Sequence, residues 1–524
     1  IFGPGVYIEY FKNGNFVYYP KSSSPGEKIA IYERGVDDPD IIDDKDYINF
    51  LPYLGSEMNI NLHFNRNDGT YAPTGNYSKQ YSDLSVKYLD DSIDFIRSYN
   101  SSDSSTSVFG KGWSFNFESS LKDYNNYEKM KEVTLPDGGR DYFIENVDGS
   151  YSSCYSRNKL VKNNDGTYLL TTKEQISYKF NSKGLLIYVE SKEGNRLTIE
   201  YNGNSKPKTV TDYVGRKYTF EYNENNLLTK ITDPMGRAVR YYYKDNRLVK
   251  VIDPAGIVTT YSYSEDGYLS EIKDGKGNLQ EAVVYTLKDG EPKVSKETDS
   301  YGNVKTYTYE NGKTIITDSN GLTTTQWYDT TYSITKSTDA GGRTSLIEYY
   351  TDNGINKYNE IKSTTDRNGN IIIYERDSRG NITKVINPDL SYKEYTYDSK
   401  NNIISERDEE GKYTYYIYDS SQTFLEKIVK PLNGTDIYYK YSDQSKFAIT
   451  TYSYYPVGQD GYTVKGLLKS ITDSEGNTTT YTYDSYGNIK TITDSLSNTT
   501  TYEYNIIGLC TSVITPKNEK STYY

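Results

Sequence analysis

The sequence predicts an all-β chain: a spiralling antiparallel sheet of hairpin repeats, each about 21 residues long, curled into a hollow shell. Three observations lead there. The chain of 524 residues carries 61 tyrosines. Those tyrosines recur at a near-constant step. Between them lie alternating runs closed by D-x-x-G, the chemistry of a strand that ends in a turn.

Composition sets the frame. Taking the tyrosines out of the 35% hydrophobic fraction and adding the 40 glycines leaves roughly 31% on the usual apolar count, against about 45–50% in ordinary domains. A conventional aliphatic core is not expected. Tyrosine, threonine and isoleucine at regular spacing are strand formers, so disorder is not expected either. The net charge of −12 disfavours nucleic acid as the main partner. No run of 18 apolar residues is present, so no membrane span is read.

The repeat is legible in the tyrosines. Tyr222, Tyr243, Tyr263, Tyr285, Tyr309 and Tyr328 stand 21, 20, 22, 24 and 19 residues apart. Asp212, Asp233, Asp253 and Asp274 keep a parallel step of 21, 20 and 21. Asn387 takes the aspartate's place once, and Arg376 the tyrosine's. In Thr480–Asp484 the alternation sets Tyr481 and Tyr483 on one face and Thr480 and Thr482 on the other. Asp484 and Gly487 then occupy the first and fourth positions of a β-turn, where each is favoured. One repeat thus holds two short strands and two turns, and no stretch shows a helical apolar stripe.

From Asn202 onward there is room for on the order of thirty strands in a meander. Open twisted sheets rarely exceed about 10 strands without curling. The tyrosine face is expected inward, with rings packed and hydroxyls bonded to water or a polar content. A β-propeller is the rival, since two repeats make about 42 residues and four strands. Threonine-rich faces such as Thr478–Thr480 and Thr323–Thr325 count against stacked blades. Residues 1–92 read as a β-rich N-terminal lead broken by Pro20, Pro25, Pro39 and Pro52.

These motifs closely resemble the Rhs/YD-repeat family. The matching copies are YDSYGN at Tyr483–Asn488, YDSKNN at Tyr397–Asn402 and ITDPMGR at Ile231–Arg237. Upstream, R-S-Y-N-S at Arg97–Ser101 and F-G-K-G-W at Phe109–Trp113 look like the module that opens Rhs proteins. Val133–Tyr151 is similar to its lead-in. On that resemblance, 93–201 is the opening module and 202–524 the YD-repeat shell, ending before any cleavage core or effector. The resemblance implies a hollow β-cage, as in toxin-complex cocoons and the teneurin barrel. It also implies a secreted or cell-surface bacterial protein whose partner is a C-terminal toxin or effector domain of the same polypeptide, held within the shell. Family members release that effector by an aspartyl-protease-like motif. Here Asp233–Gly236 and Asp253–Gly256 have only its D-P-x-G beginning and read as turn variants.

Chemistry is scarce. His63 is the only histidine and sits in an alternating strand pattern, so a structural role is expected. Cys154 and Cys510 fall in dissimilar contexts and read as unpaired. The acidic run Asp37–Asp46 lacks the glycine and final glutamate of an EF-hand and reads as a solvated loop. Gly3-Pro4-Gly5 has no strand–helix context for phosphate binding. Repeat aspartates are turn residues first. Trp113 is expected at the mouth of the shell or in its core, and Trp327 as a local substitution. No catalytic, cofactor-binding or metal residue is therefore assigned, and no cofactor is expected. The leading function is a non-catalytic shell segment that contains or presents an effector. A carbohydrate-binding surface adhesin using the tyrosines is the first alternative. A repeat-scaffold enzyme restricted to carboxylates is the second. The chain starts at Ile1 and stops inside a repeat, and is expected to be a fragment.

Overall fold

A computed structural model describes residues 69–524, except 89–90, 125–126, 289, 352–357, 435–437, 439–442 and 524, together with three short strands near the N-terminus. His63, the acidic run Asp37–Asp46 and Gly3–Gly5 lie outside the described residues. The chain is all-β. One antiparallel sheet of 37 strands runs in strict sequence order from Ser120–Tyr124 to Lys520–Thr522. Along the ladder each strand pairs with its chain neighbours; one isolated antiparallel bridge, Ser120 with Leu185, also ties the first strand to a later turn, and the sheet does not close on itself. Propeller blades would break this ladder into separate four-stranded sheets, so the continuous pairing excludes them.

Each repeat folds as its sequence dictates. Asp233 shows the turn: its Oδ1 accepts the N–H of Met235 and of Arg237, both at 2.9 Å. Gly236 donates its N–H to the Asp233 carbonyl. It does so at φ +80°, the left-handed conformation that glycine adopts without strain. Along Lys217–Tyr222 the side chains alternate, Tyr218 and Phe220 buried and Lys217, Thr219 and Glu221 exposed.

At Tyr222, Tyr243 and Tyr263 the tyrosine that closes the hairpin sits where the strand register slips by one residue. Its hydroxyl is bonded within the wall itself. It donates to a main-chain carbonyl at the start of the preceding strand: Tyr222 to Pro207 at 2.5 Å, Tyr243 to Leu228 at 2.6 Å, Tyr397 to Ile382 at 2.6 Å and Tyr483 to Leu468 at 2.8 Å. Each bond spans 15 residues. Phenylalanine would fill the ring's place and leave that carbonyl short of a donor. Within the repeats Arg376 takes the tyrosine's place and aims Nε at the equivalent Ile361 carbonyl over the same 15 residues, at 3.4 Å.

The sheet winds back onto itself rim to rim. Arg157 forms a two-pronged ion pair with Glu360, at 3.1 and 3.0 Å. Lys173 donates to the Gly380 carbonyl at 2.8 Å. Asn195 exchanges two hydrogen bonds with the Lys465 backbone, and Arg216 donates to the Ile506 carbonyl at 3.0 Å. Every one of these contacts joins a turn on one rim of the early strands to a turn on the opposite rim of the late strands. A winding spans 19 strands at Lys173–Gly380 and 25 at Arg216–Ile506, so the spiral widens.

A second, small sheet is made from Gly69–Tyr71, Asn76–Tyr88, Asp91–Asn100 and Trp113–Phe115. It packs on the first winding and creates a core the composition did not suggest. Phe95, Phe109, Trp113 and Phe115 bury themselves against Tyr218, Phe220, Leu228, Ile231, Val239 and Leu248. The shortage of aliphatic residues is real but unevenly spread. They concentrate where the module covers the first winding, while residues beyond Thr323 are mostly half-buried. The large sheet runs without a break through residue 201 and starts at Ser120, well before the repeat becomes legible in sequence.

Candidate functional site: the seat of the opening module

The two opening motifs meet at one place. Strand Asp91–Asn100 pairs with Trp113–Phe115 in the register Arg97↔Phe115 and Tyr99↔Trp113. Period-2 alternation therefore turns Phe95, Arg97 and Tyr99 together toward the repeat sheet, where all three are buried. On the other side, Asn76–Tyr88 carries a register slip between Ser82 and Leu84. That bulge presents Asp83 to Arg97, a re-aiming that such irregularities commonly achieve.

Arg97 grips Asp83 with Nε at 2.9 Å and Nη2 at 3.0 Å. Nη2 also donates to the Tyr261 hydroxyl at 3.0 Å, and Tyr241 donates its own hydroxyl to Asp83 at 2.9 Å. The guanidinium stacks between Tyr81 and Trp113, 4.4 and 4.5 Å from their ring centroids. Trp113 donates Nε1–H to the Tyr263 hydroxyl, which in turn donates to the Leu248 carbonyl. Two tyrosines of the repeats are thus bonded to the module's ion pair and a third to its tryptophan.

Burial opposes the charge on Arg97, but the Asp83 carboxylate outweighs it and holds the guanidinium firmly protonated. Burial also pushes the Tyr241 and Tyr261 phenols above their usual range, with Arg97 pulling partly the other way. Both remain neutral hydrogen-bond donors and acceptors at any physiological pH.

Further contacts lie along the same rim. Leu228, Leu269 and Val294, the equivalent residues of three repeats, donate their N–H groups to Val108, to the Tyr99 hydroxyl and to Gly75. The F-G-K-G-W glycines permit the close approach. A Cβ on Gly110 would lie 2.6 Å from the Asn246 carbonyl, and one on Gly112 2.9 Å from the Tyr99 ring. Glu118 accepts from Val108 and from Lys206, at 2.9 and 3.0 Å. Burial raises its carboxyl, and Lys206 pulls it back.

The sequence singled out Arg97 as a motif member and Trp113 also as a residue of the shell's mouth or core; the structure buries both at the centre of this seat. Asp83 and Glu118 carried no sequence signal, because a bulge and a contact across 88 residues leave no local pattern. Tyr241 and Tyr261 stand two positions before repeat tyrosines and were visible as alternation. Trp327 is half-buried on its strand beneath the Lys336 ammonium, 4.5 Å away. Asp233 and Asp253 serve as ordinary turn residues. Cys154 is buried and Cys510 half-buried. Among the described residues no group of three or more His, Cys, Asp or Glu could hold a metal ion. No helix among them is long and apolar enough to cross a membrane.

Comparison with known proteins agrees with this layout. Residues 72–143 match a domain of unknown function, DUF6531, which covers most of the small sheet Gly69–Phe115 and the first strands of the large one. The RHS Repeat matches at 201–238, 222–256, 242–279, 462–496 and 483–520. The tRNA nuclease WapA of Bacillus subtilis strain 168 is 39% identical over 219 residues, 40% of this chain and 9% of that protein. The tRNA(Glu)-specific nuclease WapA of Bacillus subtilis subsp. natto matches to the same extent. The chain thus spans about a tenth of the length of these relatives. Among solved structures, a Tc holotoxin pore of Photorhabdus luminescens is similar over 86% of this chain and 30% of its own, with a TM-score of 0.38 and 11% identity. A TcdB2-TccC3-Cdc42 crystal structure is similar over 82% and 29%, with a TM-score of 0.36 and 11% identity. Over 201–279 and 462–520 the chain thus carries the repeats of the Rhs/YD-repeat family.

Proposed function

We propose that this chain is a non-catalytic wall segment of a shell, and that the shell contains or presents a C-terminal effector carried by the same, longer polypeptide. The observation that carries the reading is the rim-to-rim contact between windings, with Arg157 on Glu360 and Arg216 on Ile506. A sheet that returns to its own rim makes a wall with an inside. The module seated by Arg97 and Trp113 lies on the opposite rim of the first winding and caps that end. The family relation to a nuclease and the repeat architecture support an enzymatic cargo, with a bacterial secreted or surface location. Repeat-closing tyrosines such as Tyr222, Tyr243 and Tyr483 spend their hydroxyls on main-chain carbonyls, which supports a structural use of them over glycan binding. Electron microscopy of the intact polypeptide tests the proposal. A hollow body that shields its C-terminal domain from protease is expected; a flat disc with a central channel, or a freely cleaved C-terminal domain, would rule it out.

A further inference from the structure

The rim-to-rim interface has an identifiable unit. At the covered turn Asp212–Arg216, both charged side chains are almost fully buried. Arg216 donates Nε to Asp212 at 2.6 Å and Nη1 to the Ile506 carbonyl at 3.0 Å. Its guanidinium lies 5.8 Å from the Tyr486 ring centroid. Val214, at the tip, packs on the cluster of Val464, Leu467 and Tyr483. One turn thus offers a held guanidinium and an apolar tip, and the opposite rim answers with a main-chain carbonyl and tyrosine rings.

The next turn on the same rim repeats the unit. Arg237 donates Nε to Asp233 at 2.7 Å, and Asp233 is buried as Asp212 is. Met235 stands in the place of Val214. Here, however, nothing among the described residues covers the turn: Met235 is 47% exposed and the Arg237 side chain 34%. Exposed apolar residues continue along this rim at Ile257, Tyr301, Leu322, Leu390 and Leu496. Met235 and Ile257, at adjacent turns, make the exposed apolar pair nearest the covered turn. The established contacts also progress in order. Moving from Asn195 to Arg216 on one rim carries the partner from Lys465 to Ile506 on the other. An equal step would carry the partner of Asp233–Arg237 past the strand Lys520–Thr522.

We infer that Asp233–Arg237 is the next docking position of the spiral, and that its occupant is a D-x-x-G turn of a further winding of YD-repeat sheet on the same polypeptide. Arg237 donates its free Nη groups to a main-chain carbonyl of that turn, and Met235 packs on its tyrosine. This rests on the shell reading above.

Arginine footprinting with phenylglyoxal, read by mass spectrometry, separates the two. The probe is applied to the 524-residue chain and to the full natural polypeptide. In the shorter chain Arg237 should be labelled and Arg216 protected. In the full polypeptide Arg237 should be protected to the level of Arg216, and Met235→Asp should restore its labelling while Arg216 stays protected. Labelling of Arg237 in the full polypeptide, with Arg216 still protected, overturns the docking position and leaves the shell intact. Labelling of Arg216 in either form overturns the winding itself. Protection of Arg237 that grows with the concentration of the shorter chain assigns the rim to a second copy and overturns the proposed occupant.

Discussion

Tyr243 donates its hydroxyl to the Leu228 carbonyl at 2.6 Å, across 15 residues of its own hairpin. Leu228 lies opposite the register slip at Tyr222, where the regular ladder of the sheet is interrupted. The hydroxyl fills the gap that the slip leaves. Burial pushes the Tyr243 phenol well above its ordinary pKa, so the donor persists at any physiological pH.

Tyr243→Phe should therefore loosen the hairpin without disturbing its packing. A neutral hydrogen bond contributes about 1 kcal/mol net, equivalent to about a five-fold rise in local opening. Hydrogen exchange of the Leu228–Thr232 amides measures it. Exchange unchanged from wild type would show that the bond is incidental.

Arg97→Met should unseat the opening module. Removing one partner of a buried ion pair costs about 3–5 kcal/mol, because the other charge is left without compensation. Limited proteolysis should cut within Asn76–Phe115 while the repeats after Thr323 stay intact. Replacing Arg97 and Asp83 together by apolar residues should be milder than Arg97→Met alone.

Two glycine substitutions should differ sharply. Gly236 and Gly184 adopt the same left-handed turn, at φ +80° and +78°. Alanine at Gly236 meets open space and carries only the conformational strain, about 1 kcal/mol. Alanine at Gly184 would set its Cβ 1.8 Å from the Leu121 carbonyl, so the first strand of the sheet must move. The yield of folded protein should fall for Gly184→Ala and not for Gly236→Ala.

Acid should loosen the turns together. The side-chain amides of Asn278, Asn303, Asn370, Asn477 and Asn498 hold Asp274, Asp299, Asp366, Asp473 and Asp494 below their usual 3.8, with turn N–H groups adding to the effect. Burial works against Asp419, yet the Ser421 hydroxyl and the N–H groups of Phe424 and Thr423 bring it down to about 2. A carboxyl depressed in the folded state adds stability that is complete above its unfolded pKa and lost as pH falls through the folded one. Through these groups the urea midpoint should fall as pH drops from about 3.8 towards 2, whereas the raised Glu118 acts in the opposite sense at higher pH. Asn→Ala at the five amide positions should flatten that fall; an unaltered slope would show that the amides do not set it.

The repeat was legible because its signals are local. Tyrosine spacing, D-x-x-G and period-2 alternation each report on a few neighbouring residues, and Arg376 was visible as an exception before its bond to Ile361 explained it. The reason for tyrosine over phenylalanine was not legible, since the acceptor is a backbone carbonyl that no side chain marks. Strands between Ser120 and Tyr201 carry the sheet without the regular tyrosine and aspartate step, so the wall is longer than the repeat. The seat was half legible. Arg97 and Trp113 stood in recognisable motifs, while Asp83 depends on a bulge. Contacts such as Arg216 with Ile506, 290 residues apart, follow only from the curvature of the whole sheet.

That curvature is most directly tested by a disulfide across the windings. Asn195 and Lys465 exchange two hydrogen bonds across 270 residues, at 3.0 and 2.9 Å. In a chain with Cys154 and Cys510 replaced by serine, cysteines at 195 and 465 should form an intramolecular bond in the native protein and none in urea. A folded monomer in which both thiols remain free under oxidising conditions would contradict a sheet that winds back on itself.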